Sequence, residues 1–131
     1  MATIKAYSKA KNGNVKLSKN FRVKEFACSD GSDPVFIAVE LVEVLQKIRT
    51  HFGKAVKITS AYRTPGRNKA VDGEAYSMHL YGMAADIQIS GVSPKKVAAY
   101  AEKLLPKSGG IGTYSTFTHI DVRSTKARWK G

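Results

Sequence analysis

The sequence has a single cysteine, few carboxylates and no long apolar run. Cys28 has no partner for an internal disulfide, so we expect a fold that does not depend on an oxidising compartment. No stretch approaches the roughly 18 consecutive apolar residues of a membrane-spanning helix, and the N-terminal segment lacks the apolar core of a signal peptide. These absences predict a soluble protein without a membrane span that is made in the cytoplasm.

Acidic residues are outnumbered by basic ones by more than two to one. The 131 residues carry 22 Lys plus Arg and 10 Asp plus Glu, which gives a formal net charge of +12. Such a surface attracts polyanions, among them anionic cell-wall polymers and nucleic acids, but it can also merely keep a protein soluble by self-repulsion. No familiar nucleic-acid-binding motif is present, so we expect no specific nucleic-acid partner.

The chain contains no internal repeat, low-complexity tract or charged linker, and its length suits one domain. We therefore assign residues 1–131 to a single domain. Residues 1–32 show no clear period, and an irregular N-terminal arm over residues 1–14 and short strands both fit them. Nothing in the sequence requires more than a monomer.

Two helices are predicted by their start and stop signals. The first begins at Asp33-Pro34, with Asp33 as the cap, and continues at helical spacing for about five turns until Gly53 stops it. The second begins at Ser93-Pro94 in the same way and ends before Pro106. Both carry an apolar face that we expect to pack on the core.

Alternation of apolar and polar residues predicts strands over 56–60 and 84–89, and a terminal hairpin over 111–114 and 118–123. The intervening segment 61–74 is rich in Arg, Pro, Gly and Asn, which is typical of a loop with at most a short helix. Helices and strands do not alternate strictly. We therefore expect an α+β fold with a largely antiparallel sheet packed against helices.

Two of the three histidines lie in or beside predicted strands, close to an aspartate. If the strands of Asp86 and His119 are neighbours, both side chains reach one point, and His79 can fold back onto it. Imidazole and carboxylate suit zinc, and a catalytic zinc takes three protein ligands. On spacing alone, a surface histidine and a capping aspartate explain these residues about as well as a metal site.

Three sequence motifs resemble those of one enzyme family. Residues 77–86, which read SMHLYGMAAD, are similar to the S-x-H-x-x-G-x-A-x-D signature of the zinc D-Ala-D-Ala carboxypeptidases. That family also holds L-Ala-D-Glu endopeptidases of phages and shares its fold with the hedgehog signalling domain. Residues 60–65 (SAYRTP) resemble its S-x-Y-R-[ST]-P segment, and residues 117–121 (FTHID) resemble its closing histidine strand. The resemblance covers about residues 15–129.

The resemblance implies one zinc ion per chain, held by His79, Asp86 and His119. It also places Arg63 beside the substrate, where a planar, permanently charged guanidinium could stabilise an oxyanion or bind a peptide carboxylate. Without the motif, a structural salt bridge would be the better interpretation of Arg63. Ser77 recurs in the motif as well and is expected to support the loop or to contact the substrate.

Aromatic side chains near these motifs leave two roles open. Tyr81 is expected to contribute to substrate binding, and Tyr114 and Trp129 could line a peptide groove. For all three, a place in the core is an equally good interpretation because aromatic residues bury large areas.

One position departs from the family pattern. Many members carry a carboxylate three residues before the last histidine, where it acts as the general base, and this chain has Thr116 there. Asp121 is the nearest substitute, because it lies on the same strand face as His119, but it could equally orient the imidazole or pair with an arginine. Glu74 is a weaker candidate for the base.

These observations predict a zinc-dependent peptidase that hydrolyses an amide bond in the stem or cross-link peptides of peptidoglycan. The alternative is a zinc-stabilised module that binds the cell wall, or a structural part of a phage, without catalysis. With no signal peptide in the sequence, we expect the protein to reach the wall after release from the cell or as part of a phage particle. A nucleic-acid binder is the least favoured interpretation.

Overall fold

A computed structural model describes residues 2–131. The helices are α1 Lys9–Asn12, α2 Val39–Phe52, α3 Pro65–Ala70 and α4 Pro94–Leu104, with short 3-10 helices at Val23–Phe26 and Met78–Tyr81. The strands are β1 Ile4–Ser8, β2 Lys16–Ser18, β3 Phe21–Arg22, β4 Pro34–Ala38, β5 Val56–Ser60, β6 Ala84–Ile89, β7 Gly110–Thr113, β8 Thr118–Asp121 and β9 Ala127–Lys130.

Five strands form the main sheet, in the order β5-β6-β8-β7-β9. Every neighbouring pair is antiparallel except β7 and β9, which run parallel. The predicted α+β fold with a largely antiparallel sheet is thereby confirmed. The predicted strands over 56–60 and 84–89 and the terminal hairpin are present, whereas β9 was not predicted.

The two faces of this sheet have different chemistry. Because side chains alternate across a strand, Ala85 and Ile87 of β6 and Ile120 of β8 share one face and are buried beneath α2 and α4. Asp86 and His119 lie on the other face and are directly opposite each other in the β6–β8 register. One face therefore belongs to the core, and the other carries the polar residues singled out by the motifs.

Helix α4 begins as predicted, with Ser93 as its cap. The Ser93 hydroxyl accepts a hydrogen bond from the Lys96 amide at 3.2 Å, and Pro94 occupies the first turn. The helix packs on β7 and β8, where the Thr118 hydroxyl donates to the Pro94 carbonyl at 3.0 Å. This helix therefore closes the core side of β7 and β8, and β8 is the strand that carries His119.

The predicted start of the first helix was wrong. Residues Pro34–Ala38 form strand β4, and α2 begins at Val39 and ends, as predicted, at Gly53. Asp33 instead supports the start of α1, whose cap is Ser8: its carboxylate accepts hydrogen bonds from the Ala10 amide and the Ser8 hydroxyl, both at 2.8 Å. An apolar run such as 34–38 is compatible with helix or strand, and here pairing with β1 decides for the strand.

The N-terminal segment is regular rather than an irregular arm. Strand β1 pairs along its length with β4, from Ile4 opposite Ala38 to Ser8 opposite Pro34, and α1 follows it directly. The short strands β2 and β3 then form a second antiparallel pair. The alternative of short strands over residues 1–32 is therefore the correct one, with Met1 outside the described residues.

The buried apolar side chains form one cluster that extends from the N-terminal strands to β8. It includes Cys28, whose thiol is free and buried, in agreement with the sequence. Within residues 2–131, none of the helices has the length and apolar character needed to cross a membrane.

Candidate metal centre

Three predicted ligands converge on one point. His79, Asp86 and His119 are all buried, and their ligand atoms lie within 4.8 Å of one another. Asp86 Oδ1 is 3.2 Å from His79 Nε2 and 3.0 Å from His119 Nδ1. Two of these side chains come from paired strands, and the third comes from the 3-10 helix that precedes β6.

Local turn chemistry holds His79 in place. The Ser77 hydroxyl accepts a hydrogen bond from the His79 amide at 3.2 Å, and Gly82 ends the 3-10 helix at a φ of 71°. A side chain at Gly82 would also approach the Phe36 carbonyl oxygen to 2.2 Å, so the close passage of β4 requires glycine there. The imidazole Nδ1–H donates to the Ala61 carbonyl at 2.7 Å. This bond directs Nε2 towards Asp86.

Asp121 lies behind His119, on the side away from the other two ligands. The His119 Nε2–H donates to Asp121 Oδ2 at 2.8 Å. Asp121 is fully buried, and its oxygens also accept from the Gly110 amide at 2.9 Å and from two guanidinium nitrogens of Arg123 at 2.8 and 2.6 Å. Of its two suggested roles, the contacts favour orientation of the imidazole, because neither oxygen is free to face the cleft.

The charges of the centre are strongly coupled. Burial raises the pKa of Asp86, but hydrogen bonds with His119 and His79 outweigh it and hold that pKa at about 2. Burial likewise opposes ionisation of Asp121, yet the bonds from His119 and Arg123 keep its pKa well below the usual range. Both carboxylates are therefore anionic at neutral pH.

The donor set fits a metal cation. Each imidazole commits one N–H to an acceptor outside the centre, so in its neutral form the other nitrogen turns a lone pair towards anionic Asp86. Two nitrogen lone pairs and a carboxylate oxygen that are directed at one point repel each other unless a positive charge lies between them. Two histidines and an aspartate, each fixed by an outer hydrogen bond or ion pair, match the ligands that zinc prefers.

Arg63 extends over the second oxygen of Asp86. One terminal nitrogen of its guanidinium is 3.5 Å from Asp86 Oδ2, and other nitrogens donate to the Ser60 hydroxyl at 3.1 Å and the Asn68 amide oxygen at 3.3 Å. Buried Asn68 in turn donates to the Glu74 carbonyl at 2.9 Å. Asn68 thus links the arginine to the loop that precedes His79.

The centre lies at the base of a cleft of about 680 Å³. One wall is aromatic: Trp129 lies beside the His119 ring at a centroid distance of 5.0 Å, its indole N–H donates to the Tyr114 hydroxyl at 2.9 Å, and Tyr114 stacks on Phe117. The 71–78 loop forms another part of the lining and contributes Asp72 and Glu74. The cleft is therefore lined by aromatic side chains, by two carboxylates outside the metal centre, and by the guanidinium groups of Arg63 and Arg123.

The structure brings most of the predicted site residues into this cleft. Arg63 and Ser77 line it together with the three ligands, and so do Tyr114 and Trp129, for which a core position was the alternative. Tyr81 is not among the residues that line the cleft and its side chain is 45% exposed, so its role in substrate binding stays a prediction. In a 3-10 helix, residues two apart point in different directions, and His79 takes the inward one.

Similarity to known proteins extends over most of the chain. The profile of the family described as Peptidase M15 matches residues 17–121. The chain belongs to the peptidase M15 family. Over 103 residues this M15 peptidase is 31% identical to a Haemophilus influenzae protein described as "Probable peptidoglycan L,D-endopeptidase MepK". The match covers 70% of the chain and 53% of that protein, so the chain spans about half the length of its relative.

Some cleft residues of this M15 peptidase lie beyond the matched segment or were not predicted. Arg123 and Trp129 follow residue 121, and strand β9 brings Trp129 back beside His119. Phe117 was considered only as part of a motif. The sequence held one signal for the position of Trp129, which is the glycine at 112. A Cβ there would meet the indole ring at 2.5 Å, so only glycine admits Trp129 at this position.

Proposed function

We propose that this M15 peptidase is a zinc-dependent enzyme that hydrolyses an amide bond in peptidoglycan peptides. The observation that supports it most directly is the convergence of His79, Asp86 and His119 at the base of the cleft. These three residues would hold one zinc ion per chain. When bound, zinc supplies a Lewis acid that polarises a carbonyl and lowers the pKa of water.

The chain's own residues would position and stabilise the reacting groups. Arg63 stands at Asp86 Oδ2, the oxygen that does not face the histidines, and is fixed by Ser60 and Asn68. There its donors could bind the carbonyl oxygen as negative charge develops or bind a peptide carboxylate. Asp121 would keep the His119 ring in one orientation. The aromatic wall would pack against apolar parts of the peptide and exclude water.

The proton acceptor is proposed to come from the loop wall. Thr116 offers no carboxylate, and both oxygens of Asp121 are committed to hydrogen bonds. Glu74 is exposed at the cleft, and the loop that carries it is anchored through its own carbonyl by Asn68. We expect Glu74→Gln to lower kcat by about 10²- to 10⁴-fold at unchanged zinc affinity, with Asp72→Asn in the same loop as the matched control.

Product analysis tests the proposal. The metal-loaded protein is incubated with peptidoglycan and with soluble muropeptides, beside a sample treated with a chelator, and the products are identified by mass spectrometry. Metal-dependent fragments with new peptide termini are expected. The relative's printed name makes an L,D-endopeptidase the first type to test, and release of a terminal residue alone would indicate a carboxypeptidase instead.

A non-catalytic module that binds cell-wall peptides is the second candidate. The absence of a carboxylate at Thr116, together with the committed oxygens of Asp121, favours it. It predicts one zinc per chain and binding of muropeptides without any cleavage. In either case we propose the cell wall as the place of action, reached after release from the cell or as part of a phage particle.

A further inference from the structure

Positive charge is distributed unevenly along the chain. Residues 1–24 contain none of the ten carboxylates of the sequence. They carry seven cationic side chains: Lys5, Lys9, Lys11, Lys16, Lys19, Arg22 and Lys24. The six lysines are exposed and Arg22 is half-buried. We call the part of this surface that is lined by Lys9, Lys11 and Lys24 the basic depression.

The basic depression is a concave site and not only a charged stretch. Lys9, Lys11 and Lys24 line one depression of about 440 Å³, together with Gly13 and Asn14. Backbone hydrogen bonds close it: the Lys24 amide donates to the Gly13 carbonyl at 2.9 Å, and the Gly13 amide donates to the Lys9 carbonyl at 3.0 Å. A Cβ at Gly13 would meet the Lys9 carbonyl oxygen at 2.6 Å, so glycine permits this tight arrangement.

These charges are not neutralised within the molecule. Across the described residues 2–131, none of the seven cations forms an ion pair with a carboxylate. Two acids lie close by in the fold or the sequence. The oxygens of Asp33 already accept the Ala10 amide and the Ser8 hydroxyl, and Glu25, next to Lys24, accepts the Arg22 amide at 2.7 Å. Lys9 and Lys11 attract Asp33 without contacting it. Two nearby carboxylates, neither of them paired with a lysine, against three lysines leave a surplus of positive charge in the depression.

We propose that the basic depression binds the phosphate groups of an anionic cell-wall polymer, and so holds the peptidase on its substrate. Ammonium groups around a concavity suit a phosphodiester, because they can approach its oxygens from several sides as point charges. None of the depression's lining residues lines the catalytic cleft, so both sites can be occupied together. The choice of a wall polymer rests on the proposed function.

Nucleic acid is a less suitable partner for the same surface. Binding of single strands usually combines cations with exposed aromatic side chains on which bases stack. No aromatic side chain lines the basic depression. Phe21, which is the aromatic residue of the β2–β3 pair, is buried. A regular polyol-phosphate chain needs no stacking surface, so the observed surface fits it better.

Charge reversal at two matched surfaces tests the proposal. One variant combines Lys9→Glu, Lys11→Glu and Lys24→Glu, and the control combines Lys95→Glu, Lys96→Glu and Lys103→Glu on exposed positions of α4. Each removes three positive charges and adds three negative ones, which changes the net charge from +12 to +6. The probe is purified poly(glycerol phosphate), and its Kd is measured over a series of salt concentrations.

We expect the first variant to weaken binding at least tenfold and to reduce its salt dependence, whereas the control loses about threefold or less. Equal losses in both variants would overturn the proposal, because net charge alone would then explain the binding. A DNA duplex bound as tightly as the polymer, and weakened to the same degree, would also overturn it. A version of the first variant with Lys→Gln at the same three positions removes the positive charges without adding negative ones. It is used to check that the loss of binding does not come from unfolding of α1.

Failure of this proposal is distinguishable from failure of the proposed enzyme. Binding to poly(glycerol phosphate) requires no catalysis, so it can be present in a protein that cleaves nothing. Cleavage of soluble muropeptides, which carry no phosphate polymer, is expected to stay within twofold of the parent in both charge variants. Loss of polymer binding with intact cleavage of muropeptides locates the effect at the basic depression.

Discussion

At the residue scale, His119 is held from both sides. Its Nδ1 faces Asp86 and its Nε2–H donates to Asp121, which Arg123 holds with two hydrogen bonds. Such outer partners fix the direction of a ligand's lone pair, and their loss typically costs about 10- to 100-fold in metal affinity. The geometry therefore assigns Asp121 the role of orienting the His119 imidazole.

Asp121→Asn is expected to lower zinc affinity by about 10- to 100-fold, because the amide no longer provides an anionic acceptor for the imidazole. Competition with a chromophoric chelator measures this affinity, and Glu43→Gln on the exposed face of α2 is the matched carboxylate-to-amide control. If zinc affinity were unchanged while turnover fell by orders of magnitude, Asp121 would be the base and not the orienting residue.

Protons compete with a metal at the same residue. Burial lowers the pKa of His119, but its hydrogen bonds with Asp121 and Asp86 outweigh burial, so the pKa is raised. Below that raised pKa, a metal must displace a proton from the imidazole, and affinity falls by about tenfold per pH unit for each proton displaced. We expect zinc affinity to reach a plateau at alkaline pH and to fall as the pH drops. A flat profile between about pH 8 and pH 6 would contradict this prediction.

At the element scale, strand β9 completes the cleft. It pairs in parallel with β7, and this register places Trp129 opposite Gly112, so that the indole lies beside His119. Arg123 lies 5.3 Å from the centre of the same ring, which links the aromatic wall to the arginine that holds Asp121. The last strand therefore supports the metal centre and also lines the cleft.

Gly112→Ala is expected to destabilise the protein by about 1–3 kcal/mol and to raise KM, because the added methyl overlaps the indole of Trp129. Urea unfolding measures the first effect and peptide hydrolysis the second. Gly66→Ala in α3 is the control, because a Cβ there meets nothing within 4 Å. Equal stability of the two variants would show that Trp129 can move at no cost.

At the scale of the whole molecule, the core and the candidate metal centre occupy opposite faces of one sheet. The apolar cluster beneath α2 and α4 includes Ile87 and Ile120, while Asp86 and His119 project from the other side of the same strands. The fold therefore does not depend on a metal for its core, in contrast to small zinc-folded domains.

Chelation is expected to lower the thermal midpoint but to leave the far-UV circular dichroism at room temperature unchanged. A metal present at about 1,000 times its Kd stabilises the folded state by about 4 kcal/mol, and removal forfeits only that amount. Calorimetry with and without chelator measures the shift, and the Asp86→Asn variant should show almost none. Loss of helix and strand signals on chelation would contradict the separation of core and centre.

Features that depend on near neighbours or on a contiguous motif could be predicted from the sequence. The Ser93 cap of α4, the Gly53 stop of α2 and the alternation of β6 were all predicted, since each is a signal within a few residues. The three motifs named His79, Asp86 and His119 as a ligand set, and the structure brings them together.

Features that depend on distant partners follow from the packing of the whole chain and could not be predicted from local patterns. A local rule predicted Asp33 as the cap of the segment that follows it. Its carboxylate instead accepts the Ala10 amide at the start of α1, more than twenty residues earlier in the chain, because the pairing of β1 with β4 brings the two segments together. The burial of Asp121 is likewise decided by a distant partner, because the Gly110 amide on the neighbouring strand β7 occupies one of its oxygens. Local periodicity fixes which face of an element is apolar, whereas strand order and side-chain pairing follow from the burial of all faces at once.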